Sequence, residues 1–201
     1  MGFAGRVSRT FLVAIALAGA VPALAQFSDS YNFLKAVRDA DGTKAMTYLN
    51  KPGAPVLNAR DGSTGEGALH IVVKRHDETW LAVLLARGAQ TEARDRDGNT
   101  PLLVATQLAD VESARLLLQS GAKANATNTR GETPLIVAVQ HRDLPSIRLL
   151  LAGGADPKIA DTIAGKNARD YAAEDSRGTA IAKLLDDAKP KLPSNVAGPV
   201  R

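Results

Sequence analysis

The residues of this 201-residue chain best suited to chemistry are three histidines, one acidic pentapeptide and two short turns carrying glycine and lysine. His70, His76 and His141 offer imidazole nitrogens to a metal or to a proton. No His-x-x-x-His pair and no cysteine accompanies them, so the ligands of a zinc site are not gathered. Asp95-Arg96-Asp97-Gly98-Asn99 places oxygens at the first, third and fifth positions of a calcium loop. Such a loop needs Gly at its sixth position and a bidentate Glu at its twelfth, where this chain has Thr100 and Thr106. The pentapeptide therefore reads as a turn. Gly42-Thr43-Lys44 and Gly165-Lys166-Asn167 lack the full spacing of a phosphate-binding loop. No Gly-x-Ser-x-Gly elbow presents a nucleophile. Neither a catalytic residue, a cofactor site nor a metal site is expected.

The elements that carry these residues repeat. Gly88-Ala89, Gly121-Ala122 and Gly154-Ala155 stand 33 residues apart. Thr100-Pro101 recurs as Thr133-Pro134, and Leu84-Leu85 as Leu117-Leu118 and Leu150-Leu151. Asp77, Asp110 and Asp143 form another column. A fixed period of this size means one supersecondary unit stacked on copies of itself. Within a unit, Thr100 or Thr133 caps a first helix, with Pro at its first position. The Asp column caps a second helix, and a carboxylate there also favours the positive helix end. Ala114, Leu117 and Leu118, like Ile147, Leu150 and Leu151, share one helix face by their i, i+3, i+4 spacing. Gly88, Gly121 and Gly154 suit a left-handed helix end. The polar stretches 94–99 and 127–132 are turns between units.

Thr100-Pro101-Leu102-Leu103-Val104-Ala105 and Thr133-Pro134-Leu135-Ile136-Val137-Ala138 resemble the ankyrin signature Thr-Pro-Leu-His-x-Ala, and Gly67-Ala68-Leu69-His70-Ile71-Val72 is a weaker copy. The resemblance spans roughly Tyr31 to Lys189. It implies an all-α solenoid of about five helix-turn-helix units, with the terminal two acting as caps. Phe33, Ala36, Val37, Ala45, Tyr48 and Leu49 supply the first unit, and Ile181, Leu184 and Leu185 close the last. The step there lengthens to 34, so one residue is inserted near 160–164. His70 stands at the family's His position, which implies a structural hydrogen bond to neighbouring turns. Trp80, the chain's only Trp, is expected to pack against the long link after the first unit, with an exposed anchor as the alternative.

The resemblance also implies that partners touch the turn tips and the exposed side of each first helix. In the second unit those places hold Ser63, Thr64, Glu66, Lys74 and Arg75. The central units give the expected partner-binding set: Arg96, Asp97, Asn99, Gln107 and Leu108, then Thr129, Arg130, Glu132, Gln140 and His141. Its mixed charge suits a polar, wet interface with few anchors. The expected function is non-enzymatic binding of another protein, with a dedicated chaperone or inhibitor of one enzyme as the alternative.

The N-terminal residues 1–25 read as a secretory signal peptide. Arg6 and Arg9 precede an apolar run from Phe11 to Val21, and Ala23-Leu24-Ala25 matches an Ala-x-Ala cleavage site before Gln26. The run is too short to span a bilayer, so no stable membrane anchor is expected after cleavage. Two of the 25 Lys+Arg and none of the 21 Asp+Glu fall in this segment, which lowers the net charge from +4 to +2. That slight excess does not point to nucleic acid. The signal, the absence of cysteine and the family's mostly intracellular use in eukaryotes together suggest a bacterial periplasmic monomer, with secretion as the alternative. The domain is then 26–188, and 189–201 is a Pro-containing tail, expected to be flexible or a docking peptide.

Overall fold

The computed structural model describes residues 23–51, 55–175 and 178–187. The expected signal segment, apart from its last three residues, and the expected tail lie outside these residues. Among the described residues ten α-helices and one short 3-10 helix (Pro55–Asn58) follow one another, and the only β-structure is two isolated bridges. The α-helices form five pairs: α1 (Ala23–Arg38) with α2 (Gly42–Leu49), α3 (Ala68–Lys74) with α4 (Glu78–Ala86), α5 (Pro101–Gln107) with α6 (Val111–Gln119), α7 (Pro134–Gln140) with α8 (Leu144–Ala152), and α9 (Ala168–Glu174) with α10 (Thr179–Asp187). First helices α1, α3, α5, α7 and α9 pack in one row, and second helices α4, α6, α8 and α10 in another.

Capping defines each start. Thr100 accepts from the Leu103 N–H at 3.3 Å and Thr133 from the Ile136 N–H at 3.2 Å. Asp41, Asp77, Asp110 and Asp143 accept from Lys44, Trp80, Ser113 and Ser146 N–H groups. Each such cap contributes about 1 kcal/mol. Gly88, Gly121 and Gly154 turn the chain out of the second helices at φ of 83°, 88° and 91°.

The core runs the length of the stack. Leu81, Leu84, Leu102, Leu117, Leu135, Ile147 and Leu150 are wholly buried, and burying each such side chain stabilises by about 2 kcal/mol. Ala105 and Ala138 are also fully buried, small enough for neighbouring units to close on them. Leu118 and Leu151 share the expected face but stay half-buried at its margin. A side chain at Gly153 would lie 3.2 Å from Leu118, which shows how closely adjacent second helices approach.

Trp80 meets the first unit at a place the sequence reading did not name. Its indole lies over Gly42 at the start of α2, where a Cβ would sit 2.9 Å from the ring. The missing side chain of Gly42 leaves the space that the indole enters.

Candidate partner-binding surface

A short hairpin-like finger precedes each of the four later units. Each is organised by one side chain at its base. Asp61 accepts from Ser63 and Thr64 N–H at 2.7 and 3.1 Å, and Asp95 from Asn99 N–H at 2.8 Å. Asn128 accepts from Arg130 and Glu132 N–H at 2.9 and 3.0 Å, and Asp161 from Ile163 and Ala164 N–H at 2.8 and 2.6 Å. These bonds favour the ionised carboxylate, so Asp61 (chiefly through Ser63) and Asp161 (chiefly through Ala164) are held below the usual carboxylate range. The first and fourth fingers each carry one residue more than the central two, and both form an antiparallel bridge, Arg60 with Gly67 and Ala160 with Asn167. The insertion read near 160–164 is therefore shared by the first finger.

Adjacent fingers are joined by backbone bonds. Arg96 N–H donates to Thr64 O at 2.9 Å, Thr129 N–H to Asp97 O at 3.0 Å and Thr162 N–H to Arg130 O at 2.9 Å. Gly65, Gly98 and Gly131, at φ of 73°, 76° and 75°, make the close approach possible. A Cβ on Gly131 would lie 2.6 Å from the Thr162 nitrogen. The fingers thus form a continuous ledge beside the row of first helices.

The expected contact residues divide on this ledge. Arg96, Asp97, Leu108, Thr129, Arg130, Gln140 and His141 are exposed, and Gln107 is half-buried. Leu108 is 41% exposed at the end of α5, the one large apolar group among them. Asn99 is different: at 7% exposure it cannot present its side chain to a partner. Its amide donates to Asp95 at 3.0 Å and accepts from Gln107 at 3.2 Å and Asn128 at 3.4 Å. Glu132 is likewise turned inward, accepting from Asn128 at 2.8 Å and from Arg130 at 2.9 and 2.7 Å. Both brace the base of the ledge, because a finger only five residues long needs side chains to satisfy its own backbone.

Histidines act between units. His70 is fully buried; its Nδ1 accepts from Gly67 N–H at 3.2 Å, so the Nε2–H donates to Asn99 O at 2.9 Å in the next unit. Burial pushes its pKa down, since the imidazolium would lose hydration there. His76 is more than a solvated surface group: its Nδ1 lies 3.0 Å from Asp110 Oδ2 across the same junction. Sequence reading missed this pair, and also the Asp61, Asp95, Asn128 and Asp161 column. The column was detectable as a polar residue three or four places before each finger glycine. The His76 contact was not, because it depends on a left-handed residue (φ 53°) that aims the ring at the next unit.

The family model for ankyrin repeats (3 copies) matches residues 33–128 and again 110–193, which is most of the chain. The chain belongs to the ankyrin-repeat family. Its five helix pairs, the third and fourth begun by Thr-Pro and the units joined by stacked fingers, are ankyrin units. An ankyrin-repeat domain of this kind is a protein–protein interaction module. A search of curated proteins gives no match.

Proposed function

We propose that this ankyrin-repeat protein is exported to the periplasm and there binds another protein through its finger tips and the exposed side of its first helices, using no cofactor. The observation that carries the reading is the exposed strip of Arg96, Asp97, Leu108, Thr129, Arg130, Gln140 and His141. These side chains stand on a braced ledge, so a partner meets groups that lose little freedom on binding. Arg130 projects with its guanidinium paired to Glu132 and 60% exposed, a ready donor to a carboxylate. Leu108 supplies an apolar centre for a polar rim. Export is supported by the pattern of residues 1–25.

Pull-down from a periplasmic extract tests the surface. The double variant Arg96→Glu, Arg130→Glu loses the partner retained by the unaltered chain while its helical circular dichroism persists. Arg148→Glu, exposed on the second-helix row, retains it. The reverse pattern would refute this choice of face. One enzyme recovered in fixed ratio would instead favour a dedicated chaperone or inhibitor. Location is tested by N-terminal sequencing of the protein from osmotic-shock fluid, where a start at Gln26 is expected and a retained residue 1 would overturn export by cleavage.

A further inference from the structure

The ladder of fingers ends on an open rung. Thr64, Asp97 and Arg130 carbonyls, each preceding a finger glycine, accept from the next finger. Ala164 precedes Gly165 in the same way, yet its carbonyl accepts no backbone bond among the described residues. A Cβ on Gly65, Gly98 or Gly131 would meet the following finger's backbone at 3.0, 2.9 and 2.6 Å, whereas one on Gly165 meets nothing within 4 Å. Beside it, Ile163 is 76% exposed, the most exposed large hydrophobic residue among those described.

The chain holds a segment made to the same pattern. Thirty-three residues after Ala155-Asp156-Pro157-Lys158-Ile159 stands Ala188-Lys189-Pro190-Lys191-Leu192. Thirty-three after Ile163-Ala164-Gly165 stands Val196-Ala197-Gly198. The family match likewise runs to residue 193, beyond the end of α10 at Asp187. The segment also leaves from the right place. Arg169, at the start of α9 just after the fourth finger, grips Asp186 with two bonds of 2.5 and 2.8 Å.

We propose that residues 188–200 dock on the open edge of the fourth finger as a fifth finger, with the Asn195 N–H donating to the Ala164 carbonyl. Ser194 takes the organising place of Asp161, and Gly198 the left-handed place of Gly165 (φ 66°). The prolines do not obstruct this. The fourth finger closes with Asp161 N–H donating to Lys166 O at 3.0 Å. The equivalent bond runs from Ser194 N–H to Pro199 O, and neither Pro193 nor Pro199 removes a group it needs.

One support is missing, which makes the docking reversible. Asn58, Glu92 and Asn125 each accept, through a side-chain oxygen, the N–H of Gln90, Lys123 and Asp156 in the next unit, at 2.8–2.9 Å. The fourth member of that column is Lys158, which has no oxygen to offer the Lys189 N–H. The segment therefore covers an edge that otherwise invites pairing with another strand.

Amide exchange followed by NMR on the purified chain tests this. The Asn195 amide is expected to exchange about tenfold or more slowly than in the free peptide 188–201, at a rate independent of protein concentration. Gly165→Ala, which meets nothing in its own finger, places a methyl where Asn195 would lie and returns that amide to the free-peptide rate. Lys158→Asn restores the missing acceptor and slows the Lys189 amide. Free-peptide exchange at Asn195 in the unaltered chain overturns the proposal. So does protection that survives Gly165→Ala. Protection that rises with concentration overturns it too, by assigning the edge to a second copy of the chain.

Discussion

The junction between the second and third units and the junction between the third and fourth share one backbone but are closed by different chemistry. At the former, His70 bonds the Asn99 carbonyl, and Asp110 Oδ2 accepts from His76 at 3.0 Å and from the Ser113 hydroxyl at 2.8 Å. At the latter, Leu103 stands in the place of His70, fully buried, and Ala109 in the place of His76. Ala109 adopts the same left-handed turn (φ 53°) but has nothing with which to reach Asp143. Asp143 Oδ2 and Ser146 Oγ are consequently buried without a hydrogen-bond partner among the described residues. The next junction regains a charge contact, between Arg142 (φ 58°) and Asp175. The repeat frame thus specifies where a cross-unit side chain must point, and leaves open whether that side chain is polar, ionic or absent.

The largest effects should come from the shared frame. Gly65→Ala and Gly98→Ala combine left-handed strain with a methyl driven into the next finger, and each should cost about 3 kcal/mol in urea unfolding. Similar costs are expected at the two junctions; a large disparity would show that the frames differ after all. Next is His70→Leu, which converts the polar junction to the apolar kind. It orphans the buried Gly67 N–H and removes one of the two hydrogen bonds to the Asn99 carbonyl, and a loss of about 2 kcal/mol is expected from the same measurement.

Acid separates the junctions without mutation. His70 has a pKa below its ordinary 6.5 when folded, so just below that value the unfolded chain binds more protons than the folded one. Its contribution is intact above pH 6.5 and declines as the pH falls below it. Thermal melts at pH 7 and pH 5 should therefore show a drop that is reduced in His70→Leu; an equal drop in both proteins assigns the acid response elsewhere. The smallest change is a gain. Ala109→His offers a donor to Asp143 and suits a left-handed residue better than alanine, for a stabilisation of about 0.5–1 kcal/mol. A melting temperature that does not rise would mean that the ring fails to reach Asp143 as His76 reaches Asp110.

Much of the scaffold was legible because it rests on local rules. Thr-Pro, the Asp column and the Gly-Ala pairs each act within a few residues of their own position, through caps and turns that need no tertiary partner. The expectation that the Asn99 and Glu132 side chains stand exposed at the tips failed for the opposite reason. Position in a turn predicts exposure on average, but these two side chains fold back to satisfy the backbone of their own and adjacent fingers. The contact of Trp80 with Gly42 was not legible, because it forms only where the first two units pack together.

By itself, the order of amino acids determined the unit, its period, where its helices start and stop, and the number of copies, since period and capping are written in consecutive residues. Tertiary structure alone decided which tip residues face outward, which histidine nitrogen bonds the next unit, and that the Ala164 carbonyl of the last finger accepts no backbone bond among the described residues. Those outcomes depend on distances between groups about 30 residues apart, and only the rise from one stacked copy to the next brings such groups within bonding range.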